Sequence, residues 1–175
     1  AFVENLTLEN VATALDGTGN ASANTILGNS FANVLNGANG TDTLSGGLGN
    51  DRFVFGARGA THADTITDFN ELVGNDDLIV LSDSLDTGLA GAISPGVLGL
   101  LFTGGANPLL PEPGDVLSAA RFFKGAGFDG NGGGNTNGIY VNSLTGQIYY
   151  NPTTVTGGDS VLIGTLNLAA VPALD

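Results

Sequence analysis

The sequence predicts a mainly β fold: a parallel β-roll of nonapeptide repeats, followed by a small antiparallel β cap with one or two short helices. Three observations carry that expectation. A glycine, an Asn or Asp and a large apolar residue recur every nine residues from 19 to 54. Glycine supplies 29 of the 175 residues, well above the roughly 7% of average proteins, which implies many tight or left-handed turns. Two short segments near the C-terminus alternate apolar and polar residues around a glycine-containing turn.

The repeat comes first. Residues 19–54 divide without a gap into GNASANTIL, GNSFANVLN, GANGTDTLS and GGLGNDRFV. Position one is Gly19, Gly28, Gly37 and Gly46; position six is Asn24, Asn33, Asp42 and Asp51; position eight is Ile26, Leu35, Leu44 and Phe53. The last three residues of each unit suit a very short strand, and side chains alternate along a strand, so the middle one points inward. The first six make a turn. Two units complete one coil, giving two facing parallel sheets. Ile26 then stacks with Leu44 on one side and Leu35 with Phe53 on the other, and neighbouring coils supply the hydrogen bonds that one coil cannot make alone. A fifth unit, 59–67, places Asp64 sixth and Ile66 eighth. Upstream, Val3, Leu6 and Leu8 lie in a leading strand before an Asp16-Gly17-Thr18-Gly19 turn. The roll is thus expected over about residues 15–82, within a first domain of 1–82.

The remainder, 83–175, is expected as the cap. Residues 85–113 lack a clean period and read as a loop with a helical turn near Val97–Leu101. Asp115 to Lys124 reads as a short helix: Asp115 caps it, Val116, Ala120 and Phe123 share a face, and Gly125 ends it. Ile139–Val141 and Gln147–Tyr150 read as a hairpin around Ser143-Leu144-Thr145-Gly146, and Val161–Leu166 as another strand. Phe128-Asp129-Gly130-Asn131-Gly132 reads as a flexible hairpin tip, and Thr156-Gly157-Gly158-Asp159 likewise.

Composition narrows the function. Seventeen acidic residues face four basic ones, a net charge of −13. A nucleic-acid partner needs a basic face, and an anionic membrane surface is disfavoured for the same reason. No apolar stretch reaches the length of a membrane span. Cysteine is absent, which excludes disulfides and thiolate metal sites. His62 is the single histidine, so multi-histidine zinc sites are excluded, and neither a GxSxG elbow nor a GxxxxGK phosphate loop occurs. The chain is therefore expected not to be an enzyme. So many carboxylates with so few cationic partners are either a solvated surface or a set of ligands for cations.

The spacing favours ligands. Gly46-Gly47-Leu48-Gly49-Asn50-Asp51-Arg52-Phe53-Val54 resembles the GGxGxDxUx repeat of the RTX (hemolysin-type) family at every defined position. Residues 64–69 and 74–82 resemble the segment that closes such rolls; 122–127 and 145–150 resemble a C-terminal block common in these proteins. The resemblance implies Ca²⁺-loaded parallel β-rolls, each ion lying between two turns on the same edge. Carried over, turn 37–42 pairs with turns 19–24 and 59–64, and turn 46–51 with turn 28–33 and the closing segment. The implied ligands are the carboxylates of Asp42, Asp51, Asp64, Asp68 and Asp76, and the turn oxygens of Gly37, Asn39, Gly40, Gly46, Leu48 and Gly49. Asp42 with Asp64 is the best pair, then Asp51 with Asp68 and Asp76. Asn24 and Asn33 keep a carbonyl oxygen but lose the charge, and Asn20, Asn29 and Ala38 replace the position-two glycine. Asn24 and Asn33 are either weak ligands or a stacked ladder without metal. Two to four Ca²⁺ ions are expected.

The resemblance further implies a secreted or cell-surface module whose folding depends on Ca²⁺, at the C-terminal end of an exported bacterial protein handled by type I export machinery. The tail 166–175 is a candidate secretion signal. The absence of a start Met suggests a fragment or a processed piece; if residues upstream are missing, an N-terminal effector domain went with them. The alternative is a structural cell-surface protein (an adhesin, surface-layer or filament subunit) that self-associates in Ca²⁺.

Overall fold

Each repeat closes half a coil. The computed structural model describes residues 4–13, 16–72, 75–82, 102–103, 116–117, 122–132, 137–152, 158 and 160–167. They fall into two compact units, Ala1–Leu85 with Ile163–Asp175, and Asp86–Leu162.

The first unit is a parallel β-roll. One sheet runs in the order β1 (Asn5–Thr7), β3 (Thr25–Asn29), β5 (Thr43–Gly47), β7 (Asp64–Ile66), β16 (Val161–Leu166). The other runs β10 (Leu78–Leu81), β6 (Arg52–Phe55), β4 (Val34–Asn36), β2 (Asp16–Thr18). Every pairing in the two is parallel. The nine-residue period fixes the register: Ile26 lies opposite Leu44 and Leu44 opposite Ile66 in one sheet, Leu35 opposite Phe53 and Phe53 opposite Ile79 in the other. Ile26, Leu35, Leu44, Phe53 and Ile66 are all fully buried. Each stabilises the fold by about 1.5–3 kcal/mol through burial, and the column they form is the core. Phe55 and Phe69 extend it, Phe69 with its ring 6.1 Å from that of Phe53.

Two sequence expectations change in this unit. Asp16-Gly17-Thr18 is strand β2, not a turn. Gly17 takes the inward slot opposite Leu35, and a Cβ there would lie 2.9 Å from Ile26, 3.1 Å from Leu35 and 3.4 Å from Leu6. The missing side chain lets these three converge, so glycine serves packing here and not a bend. Val161–Leu166 is a strand as expected, but it joins the roll: Gly164 pairs with Asp64 and Leu166 with Ile66, in parallel. Gly164 again makes the fit, since a Cβ would strike the Phe55 ring. A two-residue antiparallel pair, β8 (Glu71–Leu72) with β9 (Asn75–Asp76), precedes β10.

In the second unit β14 (Gly138–Asn142) and β15 (Gln147–Asn151) form the expected antiparallel hairpin. Its turn closes on Asn142, whose carbonyl accepts N–H bonds from Thr145 and Gly146 and whose Oδ1 accepts one from Leu144. The described residues of the expected helix over 115–124, namely 116–117 and 122–124, are extended and not helical. Val116–Leu117 is strand β12, antiparallel to β11 (Phe102–Thr103), and Phe122–Gly125 is strand β13, parallel to β14. The physical reason is the aromatic pair: Phe123 sits in register with Tyr140 and stacks on it at 4.6 Å. Such cross-strand aromatic contacts outweigh the weak helical spacing of Val116, Ala120 and Phe123. No helix occurs among the described residues. The segment 128–132 is tied down: Asn151 donates to Gly130 O, and Asn131 Oδ1 accepts from Gly158 and Ser160 N–H. Val97–Leu101, most of 156–159 and 168–175 lie outside the described residues.

Candidate metal-binding edges

The position-six residues form two vertical ladders, one on each edge of the roll. On the first, Asp42 Oδ1 accepts the N–H of Asn24 at 2.7 Å, and Asp64 Oδ1 accepts the N–H of Asp42 at 3.0 Å. On the second, Asp51 Oδ1 accepts from Asn33 at 2.8 Å, and Asp77 Oδ1 accepts from Asp51 at 3.0 Å. Each carboxylate thus reaches back one coil, which turn stacking makes obligatory once the strands are in register. All six side chains are buried. A charge-assisted bond of this kind contributes about 1.5–3 kcal/mol.

The other oxygen is the informative one. Asp42 Oδ2 and Asp51 Oδ2 are buried and have no hydrogen-bond partner. They lie over the position-one glycines: a Cβ at Gly37 would fall on Asp42 Oδ2, and one at Gly46 on Asp51 Oδ2. Glycine at position one is therefore needed for the room it leaves. Burial pushes Asp51 up to about 6, with the charges of Asp77 and Asp68 adding to the rise. Burial likewise pushes Asp64 up to about 7, with Asp42 adding to it, and raises Asp42. These groups resist carrying charge in the bare protein.

The two kinds of turn differ in backbone. Gly40, Gly47 and Gly49 have φ of 116°, 94° and 113°, and Ala38 has φ 71°. The matching residues of the first two turns, Asn20, Ser22, Asn29 and Phe31, are not left-handed. They form Asx turns instead, Asn20 Oδ1 accepting Ser22 N–H and Asn29 Oδ1 accepting Phe31 N–H, each at 2.8 Å. Asn24 Oδ1 and Asn33 Oδ1 turn inward to the N–H groups of Asn20 and Asn29. No lone charge is buried there.

The remaining expected site residues fall as follows. Asn39 is exposed, and Leu48 projects outward while its N–H donates to Asn29 O across the coil. Gly40 N–H donates to His62 Nδ1 at 3.2 Å, which ties turn 59–64 to turn 37–42. Asp68 is in neither ladder; its carboxylate is held by Ser45, Gly46 and Gly47. The side chain of Asp76 lies outside the described residues. Sequence reasoning missed Asp77, whose second oxygen accepts Asn70 N–H at 2.9 Å. The signal was present: Asp42–Leu44, Asp51–Phe53, Asp64–Ile66 and Asp77–Ile79 all place the acid two residues before the core residue.

Among the described residues no three His, Cys, Asp or Glu side chains converge on one point. A cation here must take backbone oxygens as well, which suits a hard cation such as Ca²⁺ with its six to eight oxygen ligands. The orphaned carboxylate oxygens and the oxygen-only donor set fit that ion. No curated protein matches the chain. Residues 18–53 match the family model of the RTX calcium-binding nonapeptide repeat, and that segment carries four copies of it.

Proposed function

We propose that this chain is a calcium-binding module that completes its folding outside the cell as Ca²⁺ binds, and that it serves as the folding and export region of a secreted bacterial protein. It acts by binding and not by catalysis. The observation that carries this is the pair of buried, partnerless oxygens on Asp42 and Asp51, stacked at the turns of a family whose repeats bind Ca²⁺. A buried carboxylate oxygen without a donor destabilises the bare fold. A bound Ca²⁺ supplies the compensating charge. We assign the ligands on one edge to Asp42 and Asp64 with turn oxygens of Gly37, Asn39 and Gly40, and on the other to Asp51 with turn oxygens of Gly46, Leu48 and Gly49. Asn33 and Asn24 contribute at most neutral oxygens. The register supports Asp77, in place of Asp76, as the last acid beside Asp51. Binding only to the folded state couples metal affinity to stability.

The exported context is supported by the absence of cysteine and by RTX repeats being typical of secreted bacterial proteins. No helix among the described residues is long and apolar enough to cross a membrane. Isothermal titration should count two to four Ca²⁺ ions, and EGTA at neutral pH should remove much of the far-UV circular dichroism of the strands. A spectrum unmoved by EGTA would refute folding on binding. One observation favours assembly instead: β1 and β2 each end a sheet, and such strands accept a further strand. Size-exclusion chromatography in Ca²⁺ separates the readings, discrete monomers supporting the first and ordered polymers the second.

A further inference from the structure

Asp68 departs from the position-six pattern. Its Oδ1 accepts the N–H of Gly46 at 2.9 Å; its Oδ2 accepts the Ser45 hydroxyl at 2.6 Å and the N–H of Gly47 at 3.0 Å. Two successive amides and a hydroxyl thus enclose one carboxylate, the arrangement of an anion in a backbone nest. Both oxygens are engaged, whereas Asp51 keeps one with no donor at all.

The consequence follows from peptide planarity. The C=O of Gly46 and the N–H of Gly47 belong to one rigid trans amide and point in opposite directions. Holding the Gly47 N–H toward Asp68 turns Gly46 O the other way. That oxygen lies against Gly28, where an added Cβ would meet both Gly46 O and Asn33 Oδ1. Two oxygens from successive turns therefore converge beside Gly28. Gly47 itself sits at φ 94°, and Asp68 supplies an outside hold on that conformation from the segment after β7.

We infer that Asp68 is a positioning residue for the calcium turn 46–51: it aims the Gly46 carbonyl through the Gly46 and Gly47 amides and does not itself ligate the metal. This rests on the calcium reading above, and the test separates the two. The full chain, Asp68→Asn and Ser45→Ala are titrated with Ca²⁺ by calorimetry, and bound calcium is counted after equilibrium dialysis at saturation. Asp68→Asn should keep the ion count of the unsubstituted chain while one class of sites weakens about tenfold or more, the usual scale for losing an outer-shell partner. Ser45→Ala removes one of three donors and should weaken the same class a few-fold; it carries the test should Asp68→Asn fail to fold. An ion count lower by one would make Asp68 a ligand and overturn the inference. Unchanged affinity in both variants, or equal weakening at every site, would overturn it too. An unsubstituted chain that takes up no calcium would overturn the calcium reading itself, before any variant is compared.

Discussion

The coils headed by Asn24 and Asn33 and those headed by Asp42 and Asp51 share one strand geometry and differ in their turns. Both bury the same kind of column, Ile26 and Leu35 in the first and Leu44 and Phe53 in the second. In the Asn coils each position-six oxygen meets an N–H of its own turn, and Asx bonds shape the loop without left-handed residues. In the Asp coils the side chain turns to the preceding coil, one oxygen is left without a donor, and the loop becomes left-handed at positions two and four. The Asn coils are complete as polypeptide. The Asp coils are complete only with a cation or a proton. A solenoid whose coils touch only their neighbours can carry both kinds in one stack, because the strand register does not depend on what fills the turn.

Exchanging the position-six residues should give the largest effect. Asp42→Asn with Asp51→Asn removes the charge of the carboxylate proposed as a ligand on each edge and should weaken calcium binding about a hundredfold or more, since ligand charge tunes such sites over decades. In EGTA at neutral pH the same variant should melt higher than the unsubstituted chain, because two buried unpaired charges are gone. The reverse exchange, Asn24→Asp with Asn33→Asp, should lower the melting point in EGTA by adding buried charge. Thermal melts with and without calcium read both signs. If Asn and Asp prove interchangeable in EGTA, the contrast between the coils has no energetic content.

Most of that contrast is legible in the sequence. The nine-residue period names the core residues and their partners, because strand side chains alternate and each strand admits one inward residue. The acid-to-core spacing of two would have identified Asp77 had it been applied beyond the nonapeptides. Three things were not legible. Gly17 reads as a turn former because sequence does not show which side chains would crowd its inward slot. The segment Phe122–Gly125 carries a helical spacing, and only its pairing with Tyr140 decides for strand. Asp68 looks like another ligand, and only the positions of Gly46 and Gly47 show that its oxygens are taken.

Acid should close the gap between the two regions more gradually. Asp51 and Asp64 are pushed up to about 6 and about 7 in the folded chain, above the roughly 3.9 of an unfolded Asp. A raised pKa means that the folded state holds its proton more tightly. The metal-free fold is therefore most stable below pH about 4 and loses stability as pH rises through 4 toward 7. Calcium must displace those protons, so its apparent affinity should fall as pH drops from 7 to 5, by about tenfold per unit for each proton released. The difference in melting point between calcium and EGTA should be wide at pH 7.5 and nearly closed at pH 5. A metal-free chain more stable at pH 8 than at pH 5 would show that these carboxylates are not the ones calcium neutralises.

The smallest effect tests the turns at position two. Ala38 adopts φ 71° where Gly47 adopts 94°, so turn 37–42 takes the Asp-type shape without its glycine. A left-handed L-residue costs about 1–2 kcal/mol, and glycine in its place returns part of that as lost chain entropy, about 0.5–1 kcal/mol. Ala38→Gly should thus stabilise the fold by up to about 1 kcal/mol. The same change in the Asn coils should have the opposite sign. Asn20→Gly deletes the bond to Ser22 N–H, worth about 0.5–1.5 kcal/mol, at a position that gains nothing from left-handed freedom. Urea melts in saturating calcium resolve differences of this size. Equal shifts at Ala38 and Asn20 would mean that the two turn types differ only in charge, whereas opposite shifts would show that the backbone of each turn is set independently of what it binds.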